Sequence, residues 1–286
     1  MSRLIVLICV LIATWPVTAH GAPGLWQVKH GDTTIYLFGS IHALSPDFDW
    51  KTKRVDAAIA SSDELWLEVA DLDDSTKART LISQYGLDPS RPLSARLDPD
   101  HRAALSTILQ ALALPPSALD TMRPWLASIT LTLFPLQKIG VDSNSGVDLS
   151  IKRLADARHE PVKGFETYEE QIKMLAELGD QDALDMVNQS LDAFNDTLKD
   201  MAELEAAWRD GDVEKIDHLM RSQTTPSLYA RLIVQRNLKF ANGIAKRLTA
   251  PGTAFVVVGA GHLAGADSVQ AHLQKLGFTV QRLDNP

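Results

Sequence analysis

The chain has almost no cysteine, since Cys9 is the only one among its 286 residues. Cys9 lies in an apolar N-terminal stretch that we expect to be removed. The mature protein would then have no disulfide, no thiolate metal ligand and no cysteine nucleophile. Basic residues are also few, because 36 Asp and Glu face 28 Lys and Arg, and the formal net charge is −8. Without a basic cluster, so acidic a protein repels nucleic acid and anionic lipid, and we expect neither as a partner.

The signatures of the commonest hydrolases are missing too. The sequence contains no H-E-x-x-H, no G-x-S-x-G and no Walker pattern. These short patterns predict, respectively, a zinc site on one helix face, a serine nucleophile on a tight turn and a phosphate-binding loop. Any chemistry in this chain has to come from another arrangement of residues.

Only the N-terminus carries a long apolar run. Arg3 precedes LIVLICVLIATWPV, and the small-residue segment TAHGAPG follows. A basic start, a short apolar core and small residues predict a secretory signal peptide over residues 1–22, cleaved near Ala19 or Ala22. An uncleaved N-terminal anchor is the alternative. We therefore expect a periplasmic or secreted protein without stable membrane insertion after cleavage, and a single domain over residues 25–286.

Short segments rich in β-branched residues indicate strands near both ends of the chain. They are TTIYLF (33–38), ELWLEVA (64–70), PVKGFE (161–166), TAFVVVG (253–259) and FTVQRL (278–283), the last an alternating edge strand. Helical patterns fill residues of about 75–138 and 169–248, and residues 45–47 resemble a helix start. We predict an α/β fold, with α+β as the alternative: a central mixed, partly parallel sheet with flanking helices and a helical insertion.

Four ionisable residues stand where predicted strands end: His42, Glu68, Glu166 and His262. In an open α/β sheet, ligands bind at the carboxyl ends of the strands. If the strands are neighbours, two imidazoles with carboxylates suit Zn, Mn, Co or Fe(II), which would acidify a bound water. Without metal, the same groups could serve as general acid and base. Each Gly-x-x-His pattern fixes only two positions, so a hydrogen-bonded loop histidine is the simpler interpretation of either one alone.

Other polar residues have a structural interpretation. Thr167 and Glu170 form a capping-box pattern, and we assign Glu169 and Glu170 to that helix start. Arg236 lies on an amphipathic helix as a surface or packing residue that could reach the site. The remaining histidines are interpreted as solvated: His30, His101, His159, His218 and His272.

Several segments together resemble the TraB/PrgY/GumN family, most closely its GumN-like bacterial branch. They are, in order, LFGSIHALSPD, LWLEVA, GVDLSIKRLADARHEPVKGFETYEEQ, QRN and VVVGAGHLAGADSVQAHLQKLGFTVQRL. The resemblance covers roughly residues 25–283. It implies a relation to the TIKI metalloproteases and, more distantly, to erythromycin esterases and ChaN-like haem-binding proteins. Glu166 matches the family's Gly-Leu/Phe-Glu-Thr position, with Phe165 where leucine is expected.

The resemblance implies three functions. On the TIKI side, His42 and His262 would hold a divalent metal (Mn, Co or Zn) in a peptidase. Glu68 would then be a ligand or the base, Glu166 the second carboxylate, and Arg236 would stabilise an oxyanion or orient a carboxylate. On the esterase side, His42 and Glu68 would act on water without metal. On the ChaN side, the histidines would bind haem or a small ligand without turnover. The substrate would be a peptide or a small molecule.

Overall fold

The computed structural model describes residues 21–44, 48–141 and 143–283. Residues 1–20 of the predicted signal peptide, which include Cys9, and the predicted helix start at 45–47 lie outside these residues. Within them, six strands form one sheet: β1 (Leu25–His30), β2 (Thr33–Ser40), β3 (Glu64–Val69), β4 (Val162–Glu166), β5 (Gly252–Gly259) and β6 (Val280–Arg282). Their order across the sheet is β4-β3-β5-β2-β1-β6.

The sheet is mixed, with a parallel half. β4, β3, β5 and β2 are adjacent and all parallel, whereas β1 runs antiparallel to β2 and to β6. β1 and β2 form the hairpin that turns at Gly31, whose φ is +55°. β5 is flanked on both sides and buried along most of its length, which is why its sequence is a continuous apolar run. The predicted edge position of FTVQRL is confirmed, since β6 closes one side of the sheet.

Thirteen α-helices are formed by the described residues. They are α1 (Lys53–Ala60), α2 (Ser75–Tyr85), α3 (Leu93–Arg96), α4 (Pro99–Ala111), α5 (Pro124–Lys138), α6 (Val147–Ala157), α7 (Tyr168–Ala176), α8 (Asp180–Asp192), α9 (Thr197–Arg209), α10 (Val213–Ser222), α11 (Pro226–Tyr229), α12 (Gln235–Arg247) and α13 (Val269–Lys275). A π-helical turn, Ala230–Val234, joins α11 to α12, and 3-10 turns cover Ser143–Ser145 and Ala260–Leu263. No helix among the described residues is both long and apolar enough to cross a membrane.

Each face of the sheet carries its own apolar core. Phe38, Phe255 and Trp208 centre the core under α1, α6 and α9. On the opposite face, Phe240 and Leu273 bring α12 and α13 against the strands. Two further clusters hold the remaining helices together beside the sheet, around α4, α5 and α8 and around α2, α5 and α7. The predicted mixed α/β fold is therefore confirmed.

Local predictions divide into confirmed and wrong ones. The capping box of Thr167 and Glu170 is present at the start of α7. α1 begins at Lys53, because the Thr52 hydroxyl accepts the Val55 N–H and caps the helix there. The solvated interpretation of His272 is wrong, since that residue is only 9% exposed. His272 shares the buried stripe of α13 with Val269 and Leu273, the i, i+3, i+4 face that packs inward.

Candidate functional site

The carboxyl ends of the four parallel strands meet at one edge of the sheet. Ser40 at the end of β2 is paired with Gly259 at the end of β5, and Glu166 of β4 is paired with Val69 of β3. Because β3 lies between β4 and β5, Glu68 stands in the middle of this edge. The neighbour relation that the sequence left open is therefore present.

A buried arginine links the two strand-end glutamates. Arg236 Nη2 donates to Glu68 Oε2 and, at 2.9 Å, to Glu166 Oε2. Arg236 Nε donates to Glu166 at 3.1 Å. The three side chains are 12%, 9% and 6% exposed in the order Arg236, Glu68, Glu166. Arg236 thus reaches the site and balances part of the charge of two carboxylates that have almost no water around them.

Glu68 is held as a carboxylate from several sides. Its Oε1 accepts the Gly259 backbone N–H at 2.7 Å, and its Oε2 accepts from Gln171 Nε2 at 3.2 Å. Burial by itself raises the pKa of Glu68. The cationic neighbours, with Arg236 bonded directly to it, and the Gly259 N–H outweigh burial and hold that pKa well below its usual range. Glu68 is therefore ionised and a weak proton acceptor in this arrangement.

His262 is buried and has both ring nitrogens engaged. Its Nδ1 lies 2.6 Å from Asn237 Oδ1, and Arg236 Nη1 donates to its Nε2 at 3.1 Å. Glu68 Oε1 lies 3.5 Å from Nε2. Burial, which outweighs the attraction of Glu68, lowers the pKa of His262 to about 4. The imidazole is therefore neutral at pH 7, which is the form that ligates metals.

His42 faces the solvent side of the same site. Its Nδ1 lies 3.1 Å from Asp148 Oδ1 at the start of α6, and its side chain is 64% exposed. Desolvation lowers the pKa of His42, but the hydrogen bond and charge of Asp148, with the charge of Glu68, raise it above its usual value. Water screens part of this attraction because the ring is exposed. A carboxylate on Nδ1 fixes the ring and leaves Nε2 to the cleft.

The cleft in front of His42 has a volume of about 600 Å³. Its polar lining includes Ser40, Glu68, Tyr168 and Arg153. The Ser40 Oγ is buried and lacks a hydrogen-bond partner within the described part of the chain. Such a hydroxyl is available to bond a water or another group in the cleft.

Gly259 marks the point on which the predicted ligands converge. A Cβ added to Gly259 would lie 3.3 Å from both Glu68 Oε1 and His42 Nε2, and 3.6 Å from His262 Cδ2. Any larger residue would enter this space. The absent side chain of Gly259 thus leaves room at the place where two imidazoles and one carboxylate come together.

The donor chemistry around Gly259 fits a divalent cation. His42 and His262 offer imidazole nitrogen and Glu68 offers carboxylate oxygen, a set that binds Zn or Mn. Glu68 and Glu166 share the Arg236 guanidinium, so one negative charge of this pair is left over when both histidines are neutral. As the side chains stand, no three His, Cys, Asp or Glu residues among those described are arranged to hold a metal ion. A bound cation would replace the hydrogen bond from Arg236 Nη1 to His262.

Sequence reasoning missed three polar partners in the site. Asp148 and Gln171 carry no signal of their own, because each is one polar residue near a helix N-terminus. Asn237 had a signal, its place directly after Arg236 in the segment QRN. The sequence does not say which site residue each of these three contacts, since the contacts join positions 25 to 106 residues apart.

The fold and this edge define a class of protein: a mixed α/β protein with a buried His/Glu/Arg cluster at the carboxyl ends of its parallel strands. The TraB/PrgY/gumN family model matches residues 24–282, and the chain belongs to this family. Its relatives include "Uncharacterized protein YbaP" of Escherichia coli, 27% identical over 261 residues that cover 91% of this chain and 93% of that protein. YbaP of Shigella flexneri matches equally. No solved structure matches.

Proposed function

We propose that this protein is a periplasmic or secreted metal-dependent hydrolase of the peptidase type. The observation that supports this most is the convergence of His42 Nε2, Glu68 Oε1 and His262 on Gly259. Each histidine also has its Nδ1 held by a side-chain oxygen, the arrangement that orients Nε2 of metal-binding histidines. The peptidase class follows the family resemblance alone.

The chain's own residues would divide the work of hydrolysis. His42, Glu68 and His262 would hold the cation, which when bound lowers the pKa of a water and polarises a carbonyl. Asp148 keeps the His42 ring turned so that Nε2 faces the cleft. Ser40 offers a hydroxyl that has no hydrogen-bond partner among the described residues and could bond a water or the substrate.

Arg236 holds the site together in this proposal. Its N–H groups donate to both oxygens of Glu166, one oxygen of Glu68, the Leu232 carbonyl and His262 Nε2. Arg236 would contact an oxyanion only if one of these bonds opened, and displacement of Nη1 from His262 by the cation would free that donor.

Titration of the purified protein with Mn, Co and Zn tests the proposal. We expect one site per chain in the wild type and loss of it in both His42→Ala and His262→Ala. His218→Ala is the matched control. His218 is an exposed histidine on α10 that has no role in the proposed site, so this variant should bind metal like the wild type. Equal binding by all four proteins would refute the metal part of the proposal.

The His42–Asp148 pair supports a second candidate, hydrolysis without metal. In that reaction the water oxygen attacks the carbonyl carbon, its proton passes to His42 Nε2, and the same proton then goes to the leaving group. His42 must begin unprotonated, and its raised pKa means that the rate increases with pH in the alkaline range. Activity on ester and peptide panels that survives chelation but not His42→Gln would establish this candidate over the first.

Two further points are tested separately. A haem titration would show a Soret band that disappears in His42→Ala if the protein binds haem instead. N-terminal sequencing of protein from fractionated cells tests cleavage near Ala19 or Ala22 and the proposed location. Uncleaved protein that begins at Met1 and is found in the cytoplasmic fraction would refute that location.

A further inference from the structure

The side-chain amide of Asn237 has a fixed orientation. Asn237 is fully buried, and its Nδ2 lies 2.7 Å from the Asp267 backbone carbonyl oxygen. A carbonyl oxygen only accepts hydrogen bonds, so the amide must present its NH₂ group to Asp267. The other end of the amide, Oδ1, is therefore the atom that lies 2.6 Å from His262 Nδ1.

This orientation decides which nitrogen of His262 carries the proton. Asn237 Oδ1 only accepts, so His262 Nδ1 must be the N–H donor. At the other side of the ring, Arg236 has only N–H groups to offer, so His262 Nε2 must accept. Both ends of the imidazole give the same answer: a neutral ring with hydrogen on Nδ1 and a lone pair on Nε2.

The Asp267 carbonyl is itself held in place from α10. Arg221 Nη2 donates to Asp267 Oδ2 at 3.0 Å, and Arg221 Nε donates to Asp217 on its own helix at 3.0 Å. Gly265, at a φ of +74°, turns the preceding loop closely over Asp217. The loop that fixes Asn237 is therefore braced by α10.

We propose that Asn237 is a positioning residue that locks His262 in the Nδ1–H tautomer, which keeps a lone pair on Nε2, the ring nitrogen that accepts from Arg236 Nη1 and lies 3.5 Å from Glu68 Oε1. The tautomer follows from the hydrogen bonds alone. Its consequence for metal binding rests on the proposed function, because only a lone pair on Nε2 can bind a cation beside Glu68. Loss of such a partner of a ligating histidine typically lowers metal affinity about 10- to 100-fold.

Nitrogen NMR of protein labelled with ¹⁵N-histidine tests the tautomer directly. His262 is assigned by the signals lost in His262→Gln. In the wild type we expect a protonated Nδ1 and an unprotonated Nε2. Asn237→Leu removes the acceptor and should give a mixture of both tautomers, whereas Asn237→Asp keeps an acceptor and should keep the wild-type form. Asn188→Leu, the same change on α8 in the helical layer, should leave the His262 signals unchanged.

The same proteins are then titrated with Mn, Co and Zn. Asn237→Leu should bind about 10- to 100-fold more weakly than the wild type, and Asn188→Leu should bind equally well. An unprotonated Nδ1 in the wild type would overturn the inference, even if Asn237→Leu does not fold. So would a folded Asn237→Leu protein with an unchanged tautomer. A wild type that shows the expected tautomer but binds no metal would refute the proposed function and leave the role of Asn237 standing.

Discussion

Replacing Arg236 with methionine would remove the one guanidinium that lies between Glu68 and Glu166. Methionine keeps much of the length of the arginine side chain, so the change removes charge more than volume. Both carboxylates would stay buried, at 9% and 6% exposure, without their cationic partner. Glu68 would retain its bonds from Gly259 and Gln171, but Glu166 would lose its three hydrogen bonds from Arg236.

The loss in the free energy of unfolding at neutral pH is determined by the buried carboxylate charge that Arg236 no longer balances. Removing one partner of a buried ion pair typically destabilises a protein by about 3–5 kcal/mol. Because Arg236 serves two carboxylates, we expect Arg236→Met to fall at the upper end of that range. Lys239→Met is the matched control on the same helix. Lys239 pairs with Glu170 at 3.4 Å, and both side chains are about half exposed, so we expect less than about 1 kcal/mol there.

The pH dependence should change sign in the variant. In the wild type, the pKa of Glu68 is lower in the folded protein than in the unfolded chain. Stability therefore falls as the pH drops below the pKa of Glu68 in the unfolded chain, since the unfolded state binds more protons. Without Arg236, we expect burial to dominate and to raise the pKa of Glu68 above its value in the unfolded chain. The variant should therefore gain stability relative to the wild type as the pH is lowered from 7 to 5. Urea unfolding followed by tryptophan fluorescence at pH 5, 6 and 7 measures both effects.

A small effect would refute this reasoning. If Arg236→Met unfolds within about 1 kcal/mol of the wild type at pH 7, the carboxylates are not held as a charged buried cluster. If Arg236→Met is too unstable to purify, Arg236→Met with Glu166→Gln provides the measurement. Neutralising Glu166 should restore part of the lost stability, and a double variant no more stable than the single one would contradict the charge argument equally.

Three more predictions follow from the same geometry. Gly259→Ala should lower metal affinity at least ~10-fold, because the new Cβ would lie 3.3 Å from two of the proposed ligands. It should cost little stability, because the φ of −51° at this position suits alanine. Unchanged metal titration curves would contradict this. Trp208→Phe should cost about 1–3 kcal/mol in urea unfolding, since it leaves the Gly39 carbonyl without its 2.8 Å bond; a change within error would count against that bond. His262, with a pKa lowered to about 4, binds protons more readily when unfolded. Stability should therefore fall by about 3 kcal/mol from pH 6.5 to 4, and His262→Gln should lack this part of the acid loss.

The strands of the sheet could be predicted because each has a local pattern of residues that favours a strand. The apolar run at residues 253–259 needs no partner to be recognised, and β5 indeed occupies Gly252–Gly259. The ends of strands also placed His42, Glu68, Glu166 and His262 at one kind of position. Their convergence depends on the order β4-β3-β5-β2. That order is determined by the packing of the whole chain and cannot be read from any short segment.

Arg236 shows where local reasoning stops. Its helix is amphipathic, and an arginine on such a helix is usually solvated. Here α12 packs its buried face on the strands, and Arg236 lies at its first turn, where the helix meets the carboxyl edge of the sheet. The prediction that His272 is solvated was wrong for a related reason, since the packing of α12 on α13 determines which face of α13 is buried. In both cases the burial of a polar side chain depends on a distant element.

The adjacency of Arg236 and Asn237 has a geometric reason. Arg236 contacts His262 at Nε2 and Asn237 contacts it at Nδ1, so two consecutive residues hold the two ring nitrogens. Successive helix positions differ by about 100° around the axis, which lets neighbouring side chains approach one ring from different sides. The π-helical turn Ala230–Val234 ends one residue before this pair and sets its rotation relative to α11. Deleting one residue from that turn should therefore rotate both contacts away from His262 together, whereas a substitution within it should leave them in place.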